Sequence, residues 1–195
     1  MSDTEEEFYS AERWQNWLDR LRDEELDPED EDSARLLYNL QDDVAIAVAK
    51  IVSAYQDDEL TQDEAMDELE SIREVVLAEP DFDDEDKRML VEGVQTSLVA
   101  VFYSADVYVA NGPAEEASVQ EYVEAAAAAE QEEDFDRALD LTAGAGSRLF
   151  EGAEVDLSIT EELDYGPLTD WLSGLDSLQS ALADPEVIED DEESA

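Results

Sequence analysis

Residues 93–112, GVQTSLVAVFYSADVYVANG, decide the fold. Asp106 is the only charged side chain in these twenty positions, although 58 of the 195 residues in the chain are acidic. Leu90, Val94, Leu98, Val101, Phe102, Ala105 and Val109 recur at three- and four-residue steps. That period gathers side chains on one side of an α-helix. Val91, Val99, Tyr103 and Tyr108 widen the stripe until most of the circumference is apolar. A helix of that kind, here about 84–110, belongs at the centre of a bundle. Asn111-Gly112-Pro113 ends it with residues that tolerate a left-handed turn and then a breaker. The longest stretch free of acids, Gly93 to Ala105, has 13 residues and contains Gln95, Thr96 and Ser97. A membrane span needs about 20, so no membrane insertion is expected.

Towards the N-terminus the same period recurs. Trp14, Trp17, Leu18 and Leu21 mark a helix from Ser10 to about Glu24. Asp27-Pro28 reads as a cap followed by a proline in the first turn, opening a long helix to about Tyr55. Its stripe is Leu37, Leu40, Val44, Ala47, Val48, Ile51, Val52 and Tyr55. Thr61-Gln62-Asp63-Glu64 is a capping box, and the helix it starts stops before Pro80. Asp83 to Asp86 then place negative charge at the positive end of the central helix.

Towards the C-terminus a helix over about Glu115–Gln131 includes five consecutive alanines, and Asp134 starts another through Phe150. The pair is a helical hairpin; one such unit does not make a tetratricopeptide solenoid, which needs several repeats. Residues 152–166 read as loop, with 155–159 the only stretch with strand character. A last helix spans Pro167 to Ala183. The expected fold is all-α: a single helical bundle of about seven helices over residues 1–183, with a possible break between 1–112 and 113–183. The acidic tail 184–195 is expected to be disordered.

Charge bounds the function. The net charge is −48, spread evenly: residues 1–112 carry 33 acids and 8 bases (−25), residues 113–195 carry 25 and 2 (−23). Of the ten bases only Lys50 and Lys87 are lysines. Short, hydrated carboxylates suit a surface that competes with concentrated salt for water. At about 1 M salt the Debye length is about 3 Å, which screens the repulsion. This reads as halophilic adaptation of a cytoplasmic protein. A surface that mimics DNA or captures a basic protein is the rival reading, and the even spread argues against it. Ten dispersed bases cannot neutralise a phosphate track, so direct nucleic-acid binding is not expected.

Cysteine and histidine are both absent. That removes thiolate nucleophiles, disulfides, Ser-His triads and the usual zinc ligands. No catalytic, cofactor or metal residue stands out. The alternative that remains is a hydrolase of nucleotides or phosphates using Mg²⁺ or Mn²⁺ held by carboxylates alone. All-helical nucleotide pyrophosphohydrolases hold Mg²⁺ through acids three apart, and Glu64/Asp67 and Glu121/Glu124 have that spacing. With acids at roughly 0.30 of positions, however, about 17 such pairs arise by chance. Such an enzyme would also want a basic residue for phosphate, and Lys87-Arg88 is the only adjacent basic pair.

The aromatic N-terminus is the better candidate. Trp14, Trp17, Leu18 and Leu21 lie near Arg13, Arg20 and Arg22, and Trp and Arg dominate binding hot spots. The stripe serves either its own core or a docking surface for a protein partner or a second copy of the chain.

Phe8-Tyr9-Ser10-Ala11-Glu12-Arg13-Trp14 and Leu40-Gln41-Asp42-Asp43-Val44-Ala45-Ile46-Ala47-Val48-Ala49-Lys50 resemble an archaeal family known as domain of unknown function 2150, common in halophiles. Ser97-Leu98-Val99-Ala100-Val101-Phe102-Tyr103 and Tyr108-Val109-Ala110-Asn111-Gly112 fit the same likeness. The resemblance implies an archaeal, cytoplasmic, helical protein and transfers no functional residue. The reading is therefore a non-enzymatic interaction or adaptor module.

Overall fold

A computed structural model describes residues 8–27 and 29–183. Seven α-helices follow in order: α1 Ala11–Asp23, α2 Glu31–Gln56, α3 Gln62–Val76, α4 Glu85–Asn111, α5 Val119–Gln131, α6 Phe135–Leu149 and α7 Pro167–Ala183. A 3₁₀ turn, Leu157–Glu162, lies between α6 and α7, and no strand occurs among the described residues. The expected tail from Asp184 lies outside the described residues.

The helices start where short polar side chains stop them from fraying. Ser10, Thr61, Asp84 and Asp134 each accept a hydrogen bond from the first turn that follows. Two expected starts were misplaced. The long helix α2 is capped by Asp30, whose carboxylate accepts from Ser33 N–H, rather than by Asp27. Asp27 instead accepts from Glu29 N–H, while its own N–H donates to the Ser33 hydroxyl. Pro28, the other half of that expected cap, lies outside the described residues. Helix α5 begins at Val119 rather than near Glu115, because Ser118 and Glu121 form a second capping box. The stretch 155–159 is not a strand: Val155 is buried and Leu157 opens the 3₁₀ turn.

Helix α4 is the hub. It packs against α2, α3, α6 and α7, while α5 lies on α6 and α1 meets α3. Small residues permit this crowding. A Cβ added to Gly174 of α7 would sit 2.0 Å from the Ser97 carbonyl oxygen of α4. One added to Gly146 of α6 would sit 1.9 Å from the Ser104 hydroxyl. Ser97 and Ser104 return their hydroxyls to the Gly93 and Ala100 carbonyls, so neither leaves an unmet donor at these crossings.

Two buried glutamines complete the core. Gln41 of α2 donates to the Ser173 carbonyl at 3.0 Å and to the Ser177 hydroxyl at 2.9 Å. Gln95 of α4 donates to the Val76 and Ala78 carbonyls, both at 2.8 Å, closing the C-terminal end of α3. Leu40, Ile51, Leu69, Phe102, Leu172 and Leu175 are completely buried, and one continuous core takes side chains from all seven helices. Among the described residues no helix is long and apolar enough to cross a membrane.

Candidate functional site

The N-terminal stripe is a clasp. Trp14, Leu18 and Leu21 are buried in the core at 2%, 3% and 0% exposure. Trp17 is half-buried, and its indole N–H donates to Asp43 of α2 at 2.9 Å. Arg13 reaches the same carboxylate with its Nε at 2.8 Å and with a second guanidinium nitrogen. The buried Tyr9 phenol lies beside this group; burial first, and then the negative Asp43, push its pKa far above the ordinary value. At the other end of α1, Lys87 donates to the Arg22 and Glu24 carbonyls, both at 2.7 Å. The four residues Trp14, Trp17, Leu18 and Leu21 are thus packed onto their own protein. In the folded chain they do not form an exposed docking face.

The spaced carboxylate pairs have a structural use as well. Glu64 accepts from Thr61 N–H at 2.8 Å, and Glu121 accepts from Ser118 N–H at 2.8 Å. Each is the third residue of its helix closing a capping box, and the backbone donor lowers both carboxyl pKa values. The two pairs therefore sit at the starts of separate helices. Among the described residues no three acids group as a metal ion would require. Lys87 is committed to the α1 carbonyls, and Arg88 lies 3.9 Å from both Glu85 and Glu92.

What remains is a strip on α4 that its four neighbours leave open. Thr96, Val99 and Val107 are half-buried, Ala110 is exposed, and Tyr103 is 40% exposed. At about 100° per residue these five fall within about 40° of the Tyr103 direction. At its edge Asp106 is paired with Arg73 of α3 at 2.6 Å, and exposed Glu92 lies one turn before Thr96 on the same side of the helix. Burial raises the Asp106 carboxyl, Arg73 partly offsets this, and the negative Glu70 nearby raises it further, so the pair is half-hidden beside another acid.

The groove between α5 and the 3₁₀ turn is far more acidic. There a cleft of about 460 Å³ over Val123, Val155 and Ile159 is rimmed by Glu124, Glu154, Asp156, Glu161 and Glu162. Sequence reasoning placed Val99 and Tyr103 in the core stripe. Helical spacing alone gives no measure of how many neighbours a helix will have.

Over residues 7–191 the chain matches a family described as an uncharacterized protein conserved in archaea, DUF2150. The chain belongs to that family. No curated protein and no solved structure matches it. In this DUF2150 member the match spans every described helix, from the α1 clasp to α7. Both the clasp and the α4 strip therefore fall inside the family region.

Proposed function

We propose that this protein is a non-enzymatic contact module of a salt-rich cytoplasm, and that it docks protein surface through the α4 strip. The observation that carries the reading is that Thr96, Val99, Tyr103, Val107 and Ala110, all at least partly exposed on one side of α4, are uncharged in a chain of net charge −48. In concentrated salt, long-range attraction between charged surfaces is screened within a few ångströms. Association then relies on apolar contact, which salting-out ions strengthen. A surface that was only a hydrated shell would carry carboxylates along Thr96, Val99, Tyr103, Val107 and Ala110 as it does elsewhere. Tyr103 is the natural anchor, being large, amphipathic and costly to leave in water.

The test is co-purification from native cells at multi-molar KCl, using a tagged chain beside an untagged one. A stoichiometric companion, either another protein or the untagged chain, is expected to come with the native protein. It should be lost with Tyr103→Glu at unchanged helicity. No companion, or one that Tyr103→Glu retains, would contradict the reading.

A further inference from the structure

We infer that the cleft between α5 and the 3₁₀ turn is a second docking site, and that it takes a segment of another protein in which apolar side chains alternate with arginines. This surface is separate from the α4 strip and does not depend on what the strip binds.

Two walls build the cleft. On α5, Val119 and Val123 lie one turn apart, with Gln120 and Glu124 as the next row. The facing wall, residues 154–162, is tied down. Val155 N–H donates to the Gln179 side chain of α7 at 2.6 Å, and Asp156 accepts from Ser158 N–H at 2.9 Å to cap the turn. The space between the walls, about 460 Å³, falls within the roughly 300–1,000 Å³ of ordinary binding clefts. Its floor is Val123, Val155 and Ile159.

Carboxylates enter from three sides: Glu124 from α5, Glu154 and Asp156 before the turn, Glu161 and Glu162 at its end. Glu154, Glu161 and Glu162 are exposed, and no hydrogen bond or ion pair from the described residues reaches them. No described residue lining the cleft is basic. Residues 113–195, which build it, include only Arg137 and Arg148, and Arg148 donates to the Ala114 carbonyl at 2.7 Å.

The floor narrows the choice of occupant. Carboxylates alone would attract any cation, and the even spread of acid argues against a decoy made by the whole surface. A segment that seats an apolar side chain on Val123, Val155 and Ile159 also drives water from the rim, and charge pairs closed off from solvent are screened by salt much less than exposed ones. Arginine suits such pairs, because its guanidinium is more weakly hydrated than an ammonium and grips a carboxylate with two parallel bonds. This chain does not supply the segment. Residues 184–195 carry seven acids and no base. In a second copy Arg13, Arg22, Arg73, Lys87 and Arg148, five of the ten bases, are already bonded within their own chain.

The test titrates a fluorescein-labelled, end-blocked Arg-Leu-Arg-Leu-Arg peptide with the full chain in multi-molar KCl, read by anisotropy. Saturable one-to-one binding is expected. Arg-Ser-Arg-Ser-Arg keeps the charge without the apolar side chains and should bind on the order of 10-fold more weakly or worse. Glu161→Gln with Glu162→Gln should weaken the leucine peptide by on the order of 10-fold or more. Glu12→Gln with Glu74→Gln, exposed on α1 and α3, removes the same charge elsewhere and should change binding by less than about two-fold. Ile159→Asn should bring the leucine peptide towards the serine peptide's affinity at unchanged far-UV circular dichroism. No saturable binding, equal affinity for the two peptides, or equal losses in the two double variants would each overturn the proposal. The last two results would assign the attraction to the acidic surface as a whole.

Discussion

Two parts of this chain carry aromatic and aliphatic side chains at helical spacing, and they end in opposite places. Helix α1 is amphipathic: Trp14, Leu18 and Leu21 go inward, and exposed Glu12, Gln15, Asn16 and Asp19 face out. Its apolar side is used up by the core, and Asp43 fixes the half-buried Trp17 at the rim. Helix α4 is apolar nearly all round, so four packed neighbours still leave one side uncovered. The helix that advertises a hot spot by composition turns Trp14, Leu18 and Leu21 into its own core and leaves Trp17 half-buried. The helix that reads as core keeps Tyr103 exposed, flanked by the half-buried Thr96, Val99 and Val107.

The contrast can be broken from the α1 side first. Trp14→Ala empties a fully packed site and should cost about 3–5 kcal/mol of stability, measured by urea unfolding at fixed multi-molar KCl. A cost near zero would mean that α1 is not clasped. Asp43→Asn keeps the shape but removes the charge that receives Arg13 and Trp17. It should cost about 1–2 kcal/mol and make Trp17 fluorescence more accessible to iodide. An unchanged quenching curve would show that the clasp does not depend on Asp43.

The pH dependence sharpens the account of the α4 edge. Burial holds the Asp106 carboxyl above its ordinary 3.8. The folded chain therefore binds that proton before the unfolded chain does, and the group adds stability as pH falls through its raised folded pKa towards 3.8. Glu64 acts in the opposite sense, because the Thr61 N–H lowers its pKa. Its contribution is present above the ordinary 4.5 and is lost as pH falls through the folded value. Melting midpoints at fixed KCl should therefore gain from Asp106 on mild acidification, and Asp106→Asn should remove that gain alone. An identical profile in the variant would show that burial does not hold the Asp106 carboxyl above its ordinary value. The smallest effect on stability belongs to Tyr103→Glu, within about 0.5 kcal/mol as for an ordinary surface site. A larger loss would mean that Tyr103 supports the fold rather than the contact.

Much of the architecture was legible because helix ends are written locally. Thr61 with Glu64, Asp134 and Pro167 lie at starts read from single residues, and Asn111-Gly112 ends α4 with Gly112 at φ +80°. The start of α5 was equally legible in Ser118-x-x-Glu121 and was overrun because the residues from Glu115 onward are also good helix formers. The site was not legible in the same way. That Asp43 would receive Arg13 and Trp17 from thirty and twenty-six residues away is a tertiary fact. So is the open side of α4, which depends on how many helices find room around it. Even the acid pairs three apart were ambiguous until Thr61 and Ser118 were seen to claim Glu64 and Glu121.

The most direct test places a photo-activated benzophenone side chain at position 103 in one chain and at position 17 in another, and irradiates both in native cells. Position 103 should give a discrete protein adduct, and position 17 should give only links within its own chain. An adduct from position 17 with none from position 103 would contradict the account at its centre.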